Sequence, residues 1–153
     1  MESVTTIINL HRILLIEDDP IIQKIHKSFL IKMGYEVDVT ASGEHAITIY
    51  NDEYDAVVLD ANLPDLDGFA VAKYIRQQES INQQPAKPII LLSAYSKEYL
   101  AQECLQTKIN AFATKPISYD ALQAIISEHV QKKFSVEVDV EHKKQQNERS
   151  YQR

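Results

Sequence analysis

The sequence predicts an α/β fold, a parallel five-stranded sheet covered by helices on both faces. Three observations carry this expectation. Short apolar runs recur at Ile13 to Ile16, Val37 to Val39, Val57 to Leu59, Ile89 to Leu92 and, more weakly, Ala111 to Thr114. The runs ILLI, VVL and IILL are continuous rather than alternating, as in strands whose two faces are both buried. Between and after the runs lie segments with helix-start residues or apolar stripes, so the order is strand then helix, repeated five times.

Taken in order, the first strand runs through Glu17 and Asp18 to Asp19-Pro20, an N-cap followed by proline at the first helical position. Ile22, Ile25, Phe29 and Met33 then form a stripe that ends at Gly34. The second strand leads to a helix from Gly43 to Tyr50. The third enters the loop ANLPDLDG and a helix from Gly68 to Gln78, and the fourth leaves through Ser93-Ala94 to a helix from Glu98 to Thr107. After the fifth strand and Lys115-Pro116, Ser118 starts a helix with Leu122, Ile125, Ile126 and Val130 on one face. Beyond Lys133 the segment FSVEVDV alternates as a short exposed strand does, and EHKKQQNERSYQR has no apolar stripe and reads as a tail or linker.

Composition narrows the function. A chain of 153 residues, 44% hydrophobic and 25% charged, suits one globular domain and leaves no room for a second of full size. A net charge of −6 without any basic run argues against a surface that tracks nucleic acid phosphates. The single cysteine, Cys104, cannot form an internal disulfide, and MESVTTIINLHR lacks the charged start and apolar stretch of a signal peptide, so a cytoplasmic location is expected. No apolar run approaches the roughly 20 residues that span a bilayer.

In a parallel sheet of this kind, ligands bind beyond the carboxyl ends of the strands. The residues there are Glu17-Asp18-Asp19, Asp60, Ser93-Ala94 and Lys115-Pro116, all on one edge. Any one of them suits a turn or cap, since Asp, Asn, Pro and Gly supply turn geometry. Together they converge, and carboxylates pressed close need a divalent cation, a lysine or raised pKa values. An oxygen-rich pocket with open positions suits Mg²⁺, which takes one or two carboxylates plus phosphate oxygens. Asp60 is then the nucleophile that forms an acyl phosphate, with Mg²⁺ and Lys115 neutralising charge on the transferring group.

These motifs, ILLIEDD, VVLDANLPDLDG, PIILLSA and FATKPIS in that order, resemble the response-regulator receiver domains of two-component signalling over roughly residues 12–132. The resemblance implies a flavodoxin-like (βα)5 three-layer sandwich with strand order 2-1-3-4-5, an N-terminal extension over 1–11 and a tail or linker over 133–153. It makes Asp60 the phosphoacceptor, Asp18 the direct metal ligand, Glu17 a ligand through water, and Asn62 a ligand through its backbone carbonyl. Ser93 becomes the switch hydroxyl, Phe112 the switch aromatic, Lys115 the phosphate-binding lysine, and Tyr95 a ring over the pocket mouth. A cis Lys115-Pro116 bond is also implied.

The implied function is a phosphorylation-controlled switch rather than an enzyme. Its donor is a histidine kinase or histidine phosphotransfer domain, and its output face is made by the fourth helix, fifth strand and fifth helix, a face that also suits homodimer formation. KPIILLSA and TKPIS are similar to receivers of hybrid sensor kinases, a free-standing regulator being the other arrangement. A competing class is a Mg²⁺-dependent aspartyl-phosphate phosphatase or phosphotransferase acting on a small molecule. Its haloacid-dehalogenase pattern wants an aspartate where this chain has Asn62, and a cap insertion is missing.

Two positions depart from the receiver pattern. Lys108 stands where many members have glycine, so a different local turn is expected, and Phe112 replaces the more familiar tyrosine. The remaining residues of note carry structural expectations. His11, His26, His45, His129 and His142 have no ligand spacing, Cys104 packs, and Asp65 and Asp67 solvate their loop and lead into the helix at Gly68.

Overall fold

The computed structural model describes residues 11–130 other than Ser96. The expectations for residues 1–10 and for 133–153, including the FSVEVDV strand and His142, lie outside the described residues. Five strands, β1 (Arg12–Ile16), β2 (Glu36–Thr40), β3 (Ala56–Asp60), β4 (Ile89–Ser93) and β5 (Ala111–Thr114), alternate with α1 (Pro20–Lys32), α2 (Gly43–Ile49), α3 (Gly68–Ile81), α4 (Lys97–Gln106) and α5 (Tyr119–His129). All pairings are parallel, in the order β2-β1-β3-β4-β5. This is the predicted flavodoxin-like order.

Side chains alternate across the sheet and build two apolar layers. Ile13, Leu15, Val58, Ile90 and Leu92 face Leu30, Met33, Leu122 and Ile126 of α1 and α5. Leu14, Ile16, Val57, Leu59, Ile89 and Leu91 face Ala46, Val71, Ala72 and Ile75 of α2 and α3. The central strands are buried on both sides, which is why their sequences show no polar alternation. The edge strand β2 is only half covered, and its Asp38 and Glu36 lie beside Arg12.

The helix starts follow their caps. Asp19 accepts from the N–H groups of Ile21 and Ile22, Ser42 from His45, Asp67 from Phe69, and Ser118 from Ala121. The stripe predicted for α1 is rotated. Ile25 is exposed, and the residues fully inside are His26 and Leu30, with Met33 one turn on. Leu30 is centred on the sheet, and positions four before and three after it necessarily share its face.

Helix α3 runs three residues past the expected Gln78, because Glu79 is buried as a paired group rather than exposed as a terminator. Arg76 Nη1 donates to Glu79 Oε1 at 2.7 Å and to the Lys87 carbonyl at 2.9 Å. Its Nη2 reaches the Lys108 carbonyl and Asn110 Oδ1, both at 2.9 Å. Glu79 Oε2 accepts from Lys87 N–H, and Asn110 Oδ1 from Ile89 N–H. This knot ties together the amino-terminal ends of β4 and β5. It also corrects the expectation for Lys108, which keeps a left-handed backbone at φ 55° with its carbonyl held by Arg76.

A left-handed conformation costs a residue with a Cβ about 1–2 kcal/mol, partly offset in glycine by its looser unfolded chain. Lys108→Gly is therefore expected to stabilise the protein by about 0.5–1 kcal/mol. An unchanged or lowered urea midpoint would contradict this.

Candidate functional site

Because every strand is parallel, the ends of β1, β3, β4 and β5 meet at one edge, and the polar residues that follow the apolar runs are carried there together. Glu17 is 1% exposed, Asp60 5% and Ser93 0%, so acids and hydroxyl sit inside the sheet edge rather than on the surface. Asp18, one residue on, is exposed. Lys115 arrives from beyond β5 on a cis Lys115-Pro116 peptide, as expected, and its Nζ lies 2.7 Å from Glu17 Oε1 and 3.1 Å from Asp60 Oδ1.

The loop after Asp60 is tightly closed. Asn62 N–H donates to Asp60 Oδ1 at 3.0 Å, Asn62 and Asp67 form an antiparallel bridge, and Gly68 N–H donates to the Ala61 carbonyl at 3.1 Å. A Cβ on Gly68 would stand 2.5 Å from the Asp60 carbonyl and 2.9 Å from Ala61 Cα, so only glycine admits α3 this close to the site.

The electrostatics follow from two buried carboxylates sharing one lysine. Burial pushes the Glu17 carboxyl up to about 7, reinforced by the neighbouring Asp60 and opposed by Lys115. Burial also works to raise Asp60, but bonds involving Glu17, the Asn62 N–H and Lys115 outweigh it and hold Asp60 below its ordinary value. For Lys115 the cost of burial is outweighed by Glu17 and Asp60, and its value is raised. Two carboxylates and one lysine leave the cluster one positive charge short, and the raised Glu17 value expresses that deficit as a retained proton.

Glu17, Asp18 and Asp60 offer carboxylate oxygens all within 4.8 Å of one another, the only group of His, Cys, Asp and Glu with such spacing among the described residues. An all-oxygen set with one exposed member fits a hard divalent cation with open positions. Among the described residues, His11 lies 3.2 Å from Asp55, His45 bonds Thr40, and His26 is buried in the core.

The outlying residues fall as follows. Ser93 Oγ accepts from the Tyr95 N–H at 3.0 Å, and Tyr95 itself is 54% exposed. Phe112 is half-buried, in register with Leu91 and packed on the layer under α2 and α3. Cys104 packs on the same layer, as expected, and with Phe112 lines a small cavity beside α4. Asp67 caps α3 as its position suggested. Asp65 does more than solvate its loop: its two oxygens accept from Gly43 and Glu44 N–H at 2.9 and 2.8 Å. Nothing in its local sequence signals partners more than 20 residues away.

Comparison with known proteins agrees with this geometry. The chain is 32% identical over 124 residues to hybrid signal transduction histidine kinase L of Dictyostelium discoideum, covering 78% of this chain and 7% of that protein. It thus spans only a small part of that relative. Among solved structures it is similar to the receiver domain of sensor histidine kinase PA1611 from Pseudomonas aeruginosa, described with a magnesium ion in its active site cleft. Identity there is 34% and TM-score 0.69, covering 79% of this chain and 98% of that one. A second is the receiver domain of Saccharomyces cerevisiae Ssk1 in complex with the phosphotransfer protein Ypd1, at 28% identity and TM-score 0.74, covering 81% and 91%. Residues 13–127 match the family model of the response regulator receiver domain, and the chain belongs to that family.

Proposed function

We propose that this receiver domain takes a phosphoryl group onto Asp60 from the phosphohistidine of a histidine kinase or histidine phosphotransfer domain. The observation that carries the reading is the buried Glu17–Lys115–Asp60 cluster at the carboxyl edge of the sheet. An Asp60 carboxylate oxygen attacks phosphorus, the P–N bond to the donor imidazole breaks, and the leaving nitrogen takes a proton. Asp60 is suited to attack because it is held ionised and fixed by the Asn62 N–H. Lys115, already beside both acids, is placed to pair with an oxygen of the incoming group.

Asp18, Asp60 and the Asn62 carbonyl would hold Mg²⁺, with Glu17 reaching it through water; bound there, the ion supplies charge neutralisation for the phosphoryl oxygens. The Ypd1–Ssk1 complex and the magnesium-bearing PA1611 receiver support the donor and the metal for this chain by similarity. Phosphorylation replaces the single negative charge of the Asp60 carboxylate with an acyl phosphate of about −2, a change that Ser93 and Phe112 transmit to α4, β5 and α5. That face then binds a partner or a second copy, so the output is association in the cytoplasm rather than turnover or nucleic acid binding. The same arrangement serves a free-standing regulator or a segment of a hybrid kinase, with residues 133–153 as tail or linker.

Incubation with Mg²⁺ and acetyl phosphate should add the mass of one phosphoryl group to the wild type and none to Asp60→Asn. Equal mass gain by both proteins would sink the proposal.

The raised Glu17 value has a signed consequence. The folded protein keeps a Glu17 proton that the unfolded chain, near 4.5, releases, so this stability is complete below about 4.5 and is lost as pH rises through about 7. Buried His26, held neutral mainly by burial, acts in the opposite sense below its ordinary 6.5, so wild type must be compared with Glu17→Gln. Without divalent cation, wild-type stability should fall relative to Glu17→Gln by on the order of 3 kcal/mol between pH 5 and 8. A flat difference in urea unfolding across that range would refute it.

Tyr95 leaves β4 beside Ser93, where a ring obstructs in-line approach of water to the acyl phosphate. Tyr95→Ala is expected to speed phosphate loss several-fold, roughly 1 kcal/mol of barrier, with Mg²⁺ affinity unchanged. Loss at the wild-type rate would show that the ring does not guard the site.

A further inference from the structure

We infer that Asp65 is a positioning residue, which holds the Asn62 carbonyl in place for the divalent cation by anchoring the tip of the 61–68 loop to the start of α2. The inference rests on the phosphoacceptor reading above and assigns a role to a residue outside the acid cluster.

A peptide plane joins the Asn62 carbonyl to the Leu63 nitrogen, so the carbonyl direction is set by the chain that follows Asn62. On the near side Asn62 is already fixed, its N–H donating to Asp60 Oδ1 at 3.0 Å. On the far side the loop returns through the Asn62–Asp67 bridge and the Gly68-to-Ala61 bond. Both fastenings are at the base of the loop. At the tip between them the Asp65 carboxylate ties the loop to the scaffold, spanning two successive N–H groups, Gly43 at 2.9 Å and Glu44 at 2.8 Å, one oxygen to each. These donors, Glu44 first and then Gly43, hold Asp65 below its ordinary value, so it is an anion bound to two amides.

An apolar contact completes the junction. A Cβ on Gly43 would lie 2.7 Å from Leu66 Cβ and 3.4 Å from Leu63 Cδ1, so loop and helix meet as closely as glycine allows. The amides at the start of α2 are divided between two acceptors. Ser42, the N-cap, accepts from His45 N–H at 3.1 Å, while the Gly43 and Glu44 N–H groups go to Asp65 in the loop. Removing Asp65 leaves the Ser42 cap of α2 and the base of the loop in place. What it frees is the stretch after Asn62, on which the carbonyl direction depends. Groups that orient a metal ligand without touching the metal typically carry about 10–100-fold in affinity, and a partner acting through the intervening Leu63 and Pro64 belongs at the low end.

The test is Mg²⁺ titration of the unphosphorylated protein, followed by the amide resonances of Asp60 and Asn62, for wild type, Asp65→Ala and Asp65→Asn. Asp65→Ala should bind Mg²⁺ about tenfold more weakly, with Asp65→Asn, which keeps one acceptor oxygen, between the two. Gly43→Ala, which drives a Cβ against Leu66 from the other side of the junction, should weaken binding as well. With acetyl phosphate, the Asp65→Ala rate should be low at limiting Mg²⁺ and return to near the wild-type rate at saturation. A wild-type dissociation constant in Asp65→Ala would overturn the inference. So would a rate deficit that saturating Mg²⁺ does not restore, or an unfolded Asp65→Ala beside an Asp65→Asn with wild-type affinity. Failure of the wild type itself to take phosphate would remove the phosphoacceptor reading, and is distinct from a wild type that phosphorylates normally while the variants match it.

Discussion

Two carboxylates almost wholly removed from water, Glu17 and Asp60, share a single lysine at the end of an otherwise apolar sheet. Taking a charge out of water is expensive unless it is paired and hydrogen-bonded, and here the pairing is one cation short. The deficit appears as a Glu17 carboxyl that ionises only near neutrality. A proton can fill it, and so can a divalent cation, which the open side at Asp18 admits. The rest of the architecture keeps these groups together: strands buried on both faces bring their ends to one edge, and Gly68 lets α3 close against Asp60.

The opposite edge of the sheet answers the same physical problem in another way. Arg76 and Glu79 are also buried charges, but they match one for one, and their remaining donors and acceptors go to Lys87, Lys108 and Asn110, whose Oδ1 also accepts from Ile89 N–H. A fully satisfied network of this kind resists rearrangement and suits a scaffold. It fixes the entry of β4 and β5 while their exits carry Ser93 and Lys115.

This contrast explains which parts of the molecule the sequence reveals. The five strands are visible because burial on both faces writes itself as an unbroken apolar run, and a parallel sheet then sends Glu17, Asp18, Asp60, Ser93 and Lys115 to one edge with no knowledge of side-chain contacts. The predicted α1 stripe missed His26, because burial of a histidine depends on which face α1 turns to the sheet. The end of α3 and the left-handed turn at Lys108 were hidden because both are settled by Arg76, which bonds groups 11 to 34 residues ahead of it. The amide partners of Asp65 lie 21 and 22 residues back along the chain.

Those long-range ties share a pattern. Where a polar group is held by backbone far away in sequence, as with Arg76 on the Lys108 carbonyl or Asp65 on the α2 amides, it fixes the path of a loop. Where it is held by side chains that are themselves charged, as with Lys115, its partners can be exchanged for a new anion without breaking the fold. Lys115 has only carboxylates as side-chain partners in the cluster, and a phosphoryl oxygen can replace either of them at similar distance. The loop is tied elsewhere, through Asp65 to the Gly43 and Glu44 amides, and meets the cluster through the Asn62 N–H on Asp60 Oδ1, the oxygen that also faces Lys115.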